Sequence, residues 1–134
     1  MASIGAIKGM APANATKLRR VGLRTTEAFL KRAATRSGRA ELAERTGLDE
    51  VQLLEWLNLA DLMRIKGVGS EYSDLLEAVG VATVRELRRR SPQSLLKKMA
   101  ILNDNKRLVR RLPTLGMVED WVVHARQTEP AVKS

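Results

Sequence analysis

The sequence predicts an all-α fold of two tandem helical repeats, each opening on a hairpin turn and the pair packed into one compact helical unit. Three observations point to it. Aromatic residues make up only 3% of the chain, so its core must come from Leu, Val, Ile, Ala and Met, which suits packed helices and argues against a large sheet. Apolar residues recur at spacings of three and four, with helix-start and helix-stop residues between the runs. Sliding the chain on itself by 58 positions lays Ile7-Lys8-Gly9 on Ile65-Lys66-Gly67, Leu18 on Leu76, Val21-Gly22 on Val79-Gly80, Thr25 on Thr83 and Phe29 on Leu87. Two separate domains of about 60 residues would each be marginal alone, which favours a shared core.

The first repeat covers residues 1–60. Ile4 and Ile7 precede a degenerate hairpin at 7–11, and Ala15 and Leu18 face inward on the helix that Gly22 stops. Asp49 caps a later helix carrying Leu53, Trp56 and Leu57.

The second repeat covers residues 61–127. Leu62 and Ile65 lead into a hairpin at 65–69, built on Gly67-Val68-Gly69. Tyr72, Leu75, Leu76 and Val79 then share one helix face, and Gly80 is placed to end that helix in a left-handed conformation. Thr83 and Glu86 form a capping box for a helix running to about Arg90, with Val84 and Leu87 inward. Ser91 as N-cap and Pro92 at the first helical position open a helix to about Met99. Asn103 is expected to cap a helix bearing Leu108 and Leu112, ended by Pro113, and Thr114 to cap a last helix bearing Val118, Trp121, Val122 and Ala125.

The repeats also end alike. Glu55-Trp56-Leu57 and Ala60 match Asp120-Trp121-Val122 and Ala125 at an offset of 65, so the second repeat is about seven residues longer. Trp56 and Trp121, both on apolar helix faces, read as core anchors rather than exposed base-stacking platforms. Residues 128–134 read as a frayed tail.

Charge is distributed in blocks. The net charge of +9 divides into +8 over residues 1–39, −5 over 40–63 and +6 over 64–134. Two basic blocks around an acidic one fit a polyanion partner, since each cation placed on a phosphate releases condensed counterion. The chain has no cysteine, which excludes disulfides and thiolate metal sites, and it has neither a signal-type apolar run nor a stretch long enough to span a membrane. A cytoplasmic protein with no membrane attachment is the expectation.

Catalytic constellations are absent from the sequence. His124 is the sole histidine, without cysteine or spaced carboxylates to complete a metal site, and reads as a rim residue of the last helix. Gly67-Val68-Gly69 lacks the Gly-Lys-Ser/Thr of a nucleotide-hydrolase loop and the third glycine and preceding strand of a dinucleotide fingerprint. The pairs Asp49-Glu50 and Glu119-Asp120 sit at helix starts, where the dipole explains them. No enzyme activity, cofactor, metal or small-molecule substrate is expected.

From Leu62 to Met99, the apolar-x-Gly-Val-Gly turn, Leu75-Leu76, Val79-Gly80-Val81, Thr83-Val84, Glu86-Leu87, Ser91-Pro92 and Leu95 resemble helix-hairpin-helix domains. The likeness is to the C-terminal domain of the bacterial RNA polymerase alpha subunit and the N-terminal domain of the strand-exchange recombinases. Nearly the whole chain resembles a bacterial family known only as a domain of unknown function, most specifically from Leu59 to Glu77, at Arg110-Arg111-Leu112-Pro113 and at Glu119-Asp120-Trp121. The resemblance implies a tandem helical fold and a DNA-binding role.

Carried onto this sequence, the resemblance implies that backbone N–H groups around Gly67, Val68, Gly69 and Ser70 hold one or two phosphates across a minor groove, with Lys66 beside them as a cation. Glycine suits such a turn because phosphate must approach the chain closely. In the first repeat Ala11 replaces the second glycine and Pro12 removes a donor, so the second hairpin is the stronger candidate. Against phosphate stand Glu71 and Asp74 in the first turns of the following helix. Arg88-Arg89-Arg90, Lys97-Lys98, Lys106-Arg107 and Arg110-Arg111 are expected on three successive helices as a supporting basic surface, which Lys17, Arg19, Arg20, Arg24, Lys31 and Arg32 could extend.

Two functions fit. One is non-enzymatic DNA binding with little sequence preference, through hairpin amides and basic helices. The other is a protein-interaction or scaffolding module, in which the acidic stretch from Glu41 to Asp61 meets a basic partner or a second copy.

Overall fold

In the computed structural model, which describes residues 2–133, four threonines mark helix starts. Thr25, Thr35, Thr83 and Thr114 have extended backbone, and their hydroxyls accept from the N–H groups of Ala28, Gly38, Glu86 and Met117 at 3.1, 3.1, 3.3 and 3.1 Å. Each satisfies one of the amides a helix leaves unpaired at its N-terminus. The helices are α1 (Pro12–Arg20), α2 (Thr26–Ala33), α3 (Arg36–Thr46), α4 (Glu50–Leu62), α5 (Ser70–Ala78), α6 (Val84–Leu87), α7 (Pro92–Lys106) and α8 (Leu115–Arg126), preceded by a 3-10 turn at Ile4–Ala6. Among the described residues the sole extended pairing is an isolated bridge between Ser3 and Thr25, so the chain is all-α. No helix there is long and apolar enough to cross a membrane.

Contacts divide the chain into two units. One runs to Asp61 and takes in the tail from Ala131; the other is Leu62–Pro130. In the first, Ile4, Leu18, Phe29, Leu42, Leu53 and Leu57 are fully buried, with Trp56 only 2% exposed, and α2 packs on α3. α3 has no counterpart among the sequence expectations, because its Arg-, Glu- and Ala-rich surface shows little apolar periodicity. At its end of the chain, the tail expected to fray instead returns: Lys133 N–H donates to the Ala34 carbonyl at 2.7 Å. The Lys133 carbonyl accepts from Arg39, whose other guanidinium nitrogen donates to the Ala33 and Ala34 carbonyls.

The second unit has a core of its own. Leu62, Ile65, Val68, Leu75, Leu76, Val81, Val84, Leu87, Leu95, Met99, Val118, Trp121 and Val122 belong to one buried cluster, with Ile65, Val68 and Val81 entering it from the turns between helices. α8 packs on α6 and α7, and α5 packs on α7.

Both units stop a helix in the same way. At the end of α1, Gly22 N–H reaches the Arg19 carbonyl and Leu23 N–H the Leu18 carbonyl; at the end of α5, Gly80 and Val81 do the same to Glu77 and Leu76. This is the paired bonding of a Schellman stop, with Gly22 and Gly80 at φ +89° and +93°.

Four local expectations need correction. α7 runs unbroken from Pro92 to Lys106, so Asn103 lies inside it and caps nothing. Its side chain instead accepts from Val109 N–H at 3.0 Å and donates to the Val109 carbonyl at 3.2 Å, and residues 107–114 form a loop rather than a helix. Bonding both arms of one loop residue satisfies Asn as fully as an N-cap would. α6 ends at Leu87, with Arg88-Arg89-Arg90 in the turn beyond. Ser91 stands at the N-cap of α7 without a side-chain bond to its amides; its hydroxyl lies 3.3 Å from Gln93. In the capping box of α6, the Glu86 carboxylate accepts from Ala82 N–H at 2.7 Å, one residue earlier than the usual reciprocal partner.

Candidate nucleic-acid interface

The hairpin at 65–69 is shaped by a buried plug and a left-handed glycine. Val68 is 3% exposed, and its N–H closes the turn on the Ile65 carbonyl at 3.0 Å. Gly67 has φ +89°, which strains any residue with a side chain, and a Cβ there would also crowd Trp121 Nε1 at 3.1 Å. Gly69 is different. Its φ of −93° and ψ of −165° suit any residue, and a Cβ there would meet nothing within 4 Å, so the fold does not need glycine at this position.

Gly69 is the N-cap of α5 and offers no side chain to that helix. Among the described residues no protein group accepts from the N–H groups of Gly67, Gly69 or Ser70. Val68 N–H, by contrast, is spent inside the turn, and Lys66 N–H is spent on His124 Nδ1 at 3.0 Å. Gly67 and Gly69 on either side of Val68, with Ser70 next to them, therefore keep free donors. They lie at the positive end of α5, whose first turn leaves such groups unpaired.

Two arginines line the same cleft. Gly67, Gly69, Ser70, Glu71, Tyr72, Arg110 and Arg111 form its walls. The loop carrying the arginines is pinned twice: Asn103 brackets Val109, and Tyr72 Oη donates to the Arg111 carbonyl at 3.0 Å. Tyr72 in turn packs on Trp121 with ring centroids 5.2 Å apart, tilted by 51°. Sequence periodicity missed this arrangement, since it set Arg110-Arg111 on a helix; the loop places them beside the hairpin. Glu71 also lines the cleft and supplies the opposing charge that the sequence anticipated.

The remaining basic residues divide. Arg88 and Arg90 are partly buried and tied to backbone, with Arg88 donating to the Arg126 carbonyl at 2.9 Å and Arg90 to the Gly80 carbonyl at 3.2 Å. They brace the second unit. Arg89, Lys97, Lys98, Lys106, Arg107 and Lys66 are exposed. Arg107 takes a left-handed conformation at φ 48° to close α7 and lines a neighbouring cleft with Glu71, Asp104 and Arg110. The basic residues thus lie on a turn, a helix and a loop, which corrects their expected placement on three successive helices.

In the first unit the corresponding turn has Gly9 at φ +81° and Met10 N–H on the Ile7 carbonyl at 3.1 Å. Ala11 is the N-cap and Pro12 the first helical residue, so one donor is missing there. Arg19 is drawn toward the Ser3 hydroxyl, and Arg32 lies 3.9 Å from Glu41.

The family model of a domain of unknown function, DUF4332, matches residues 8–128, a span that includes every helix from α1 to α8. The chain belongs to the DUF4332 family. No curated protein matches this DUF4332 chain, and no solved structure does. Among its described residues no group of three or more His, Asp or Glu side chains is placed to hold a metal ion.

Proposed function

We propose that this DUF4332 domain binds the phosphate backbone of DNA, without catalysis and with little sequence preference, through a helix-hairpin-helix turn in its second unit. The single observation that carries the proposal is Gly69. The fold places no demand for glycine there, yet the residue is bare where unpaired amides and two arginines line one cleft. Glycine serves as an N-cap, but Ser, Asn or Asp would cap α5 better, and a close-approaching anion explains why no side chain stands there. Arg110 and Arg111 supply the cations, Lys66 flanks them, and Lys97, Lys98, Lys106, Arg107 and Arg89 extend the positive surface. A contact set of about three to six phosphates gives log affinity falling against log salt with a slope of about −3 to −5.

Gly69→Asp tests it. An aspartate N-cap satisfies the orphan amides of α5 and should raise stability by about 0.5–1 kcal/mol, while setting a negative charge where phosphate would dock. The expected result is a protein with a higher unfolding midpoint and at least about tenfold weaker duplex binding at low salt, measured by fluorescence anisotropy. Undiminished binding by this variant, or no wild-type binding to duplex or single-stranded DNA below about 100 micromolar, defeats the proposal.

A second reading, a protein-interaction module, is favoured by Val51 and Leu54. They are exposed three residues apart on α4, inside the acidic stretch from Glu41 to Asp61. It requires salt-sensitive self-association in sedimentation or a partner that survives nuclease treatment.

A further inference from the structure

The hairpin is held from outside by α8. Lys66 N–H finds its acceptor 58 residues away, on His124 Nδ1 at 3.0 Å. One turn earlier on the same helix, Trp121 stands against Gly67, where a Cβ would meet its Nε1 at 3.1 Å. α8 therefore meets two consecutive residues of the turn, while Val68 is buried in the same core cluster as Trp121. Accepting at Nδ1 leaves the imidazole proton on Nε2 and makes His124 a neutral acceptor in this arrangement.

A hydrogen bond to Lys66 N–H fixes the plane of the peptide before Lys66. Through that residue it sets the direction of the next peptide, whose N–H is that of Gly67. That N–H is one of the unpaired donors of the cleft. We propose that His124 is the positioning residue of the phosphate site, aiming the hairpin amides by holding Lys66, an inference that rests on the reading of the hairpin as a phosphate site.

Two replacements separate aiming from packing. In His124→Asn the side-chain oxygen stands about where Nδ1 stood and can still accept from Lys66; in His124→Gln the polar atoms lie further out. Amide exchange of Lys66 relative to Gly69 and duplex-DNA affinity at fixed salt are measured on the full chain. Losing one hydrogen bond that holds a binding geometry should weaken affinity about fivefold in His124→Gln and by less than about twofold in His124→Asn. Lys66 should exchange more slowly than Gly69 in the wild type and in His124→Asn, and as fast as Gly69 in His124→Gln. A fast Lys66 amide in the wild type overturns the proposal, as does full affinity in a His124→Gln protein whose Lys66 amide exchanges freely. Absent wild-type binding instead overturns the phosphate site itself, and this proposal with it.

Discussion

The Tyr72 hydroxyl donates to the carbonyl of Arg111 across 3.0 Å and 39 residues, tying the start of α5 to the loop that follows α7. An aromatic side chain whose ring packs on Trp121 thereby carries a polar handle that holds a charged loop at a helix N-terminus. Tyr72→Phe keeps the ring and removes only that bond. It should cost about 0.5–1.5 kcal/mol in a urea unfolding midpoint and weaken DNA binding with the salt slope intact. Unchanged affinity would show that the loop's position is irrelevant to binding.

The hairpin glycines should behave oppositely. Gly67→Ala faces both a left-handed backbone and Trp121, and is expected to destabilise by about 1–3 kcal/mol. Gly69→Ala meets neither obstacle and should stay within about 1 kcal/mol of the wild type, the residual cost being alanine's poorer capping. Thermal unfolding of the two variants side by side checks the contrast, and equal losses would refute the distinction.

Charge reversals should sort the basic residues by place. Arg110→Glu and Arg111→Glu act in the hairpin cleft and are expected to weaken binding several-fold more than Lys97→Glu or Lys98→Glu, which lie on α7 outside that cleft. Each lost phosphate contact should also reduce the salt slope by about one. Equal effects from all four would point to a diffuse field instead of a cleft.

Asn103→Ala should release the loop at its other anchor. Both arms of the Asn103–Val109 pair vanish and leave buried backbone groups of Val109 unpaired, at a cost of about 1–3 kcal/mol. Faster amide exchange confined to residues 107–112 is the expected signature, and an unaltered exchange pattern there would contradict it.

Arg39 offers a test in the first unit. Burial lowers its pKa, against the opposing pull of Glu50 and with a smaller push from Arg36, so the charged guanidinium is less favoured in the folded chain than in the unfolded one. The folded state therefore binds fewer protons only at strongly alkaline pH, and the resulting stability increases as pH rises through that range. From about pH 6 to 9 the charge is constant, so Arg39→Met should cost the same, about 1–3 kcal/mol, across that interval. A cost that varies with pH there would assign the effect to another group.

What could be read in advance was local. Thr83 with Glu86, Thr114 before α8, and Gly22 and Gly80 after their helices each announce a bond formed within five residues, and these caps and stops formed. Asn103 misled because its side chain bonds backbone equally well at a helix start or across a loop, and because Leu108 and Leu112 keep a helical spacing by chance of the loop's path. The pairing of Tyr72 with Arg111, of Lys66 with His124 and of Arg39 with Lys133 joins residues 39, 58 and 94 positions apart. Nothing in the spacing of a single chain encodes such partners. The turn at Gly67 before α5 was legible, but the distinction between Gly67 and Gly69 needed the neighbours that only packing supplies.

The returning tail makes the first unit discontinuous in sequence. Arg39 completes its acceptors only when Lys133 arrives, closing a segment of 94 residues whose ends must meet against chain entropy. The stretch from Leu62 to Pro130 needs no such wait. On a ribosome, the unit translated first would be the unit finished last, and a fragment cut at Asp61 would expose the guanidinium that the tail is meant to cover.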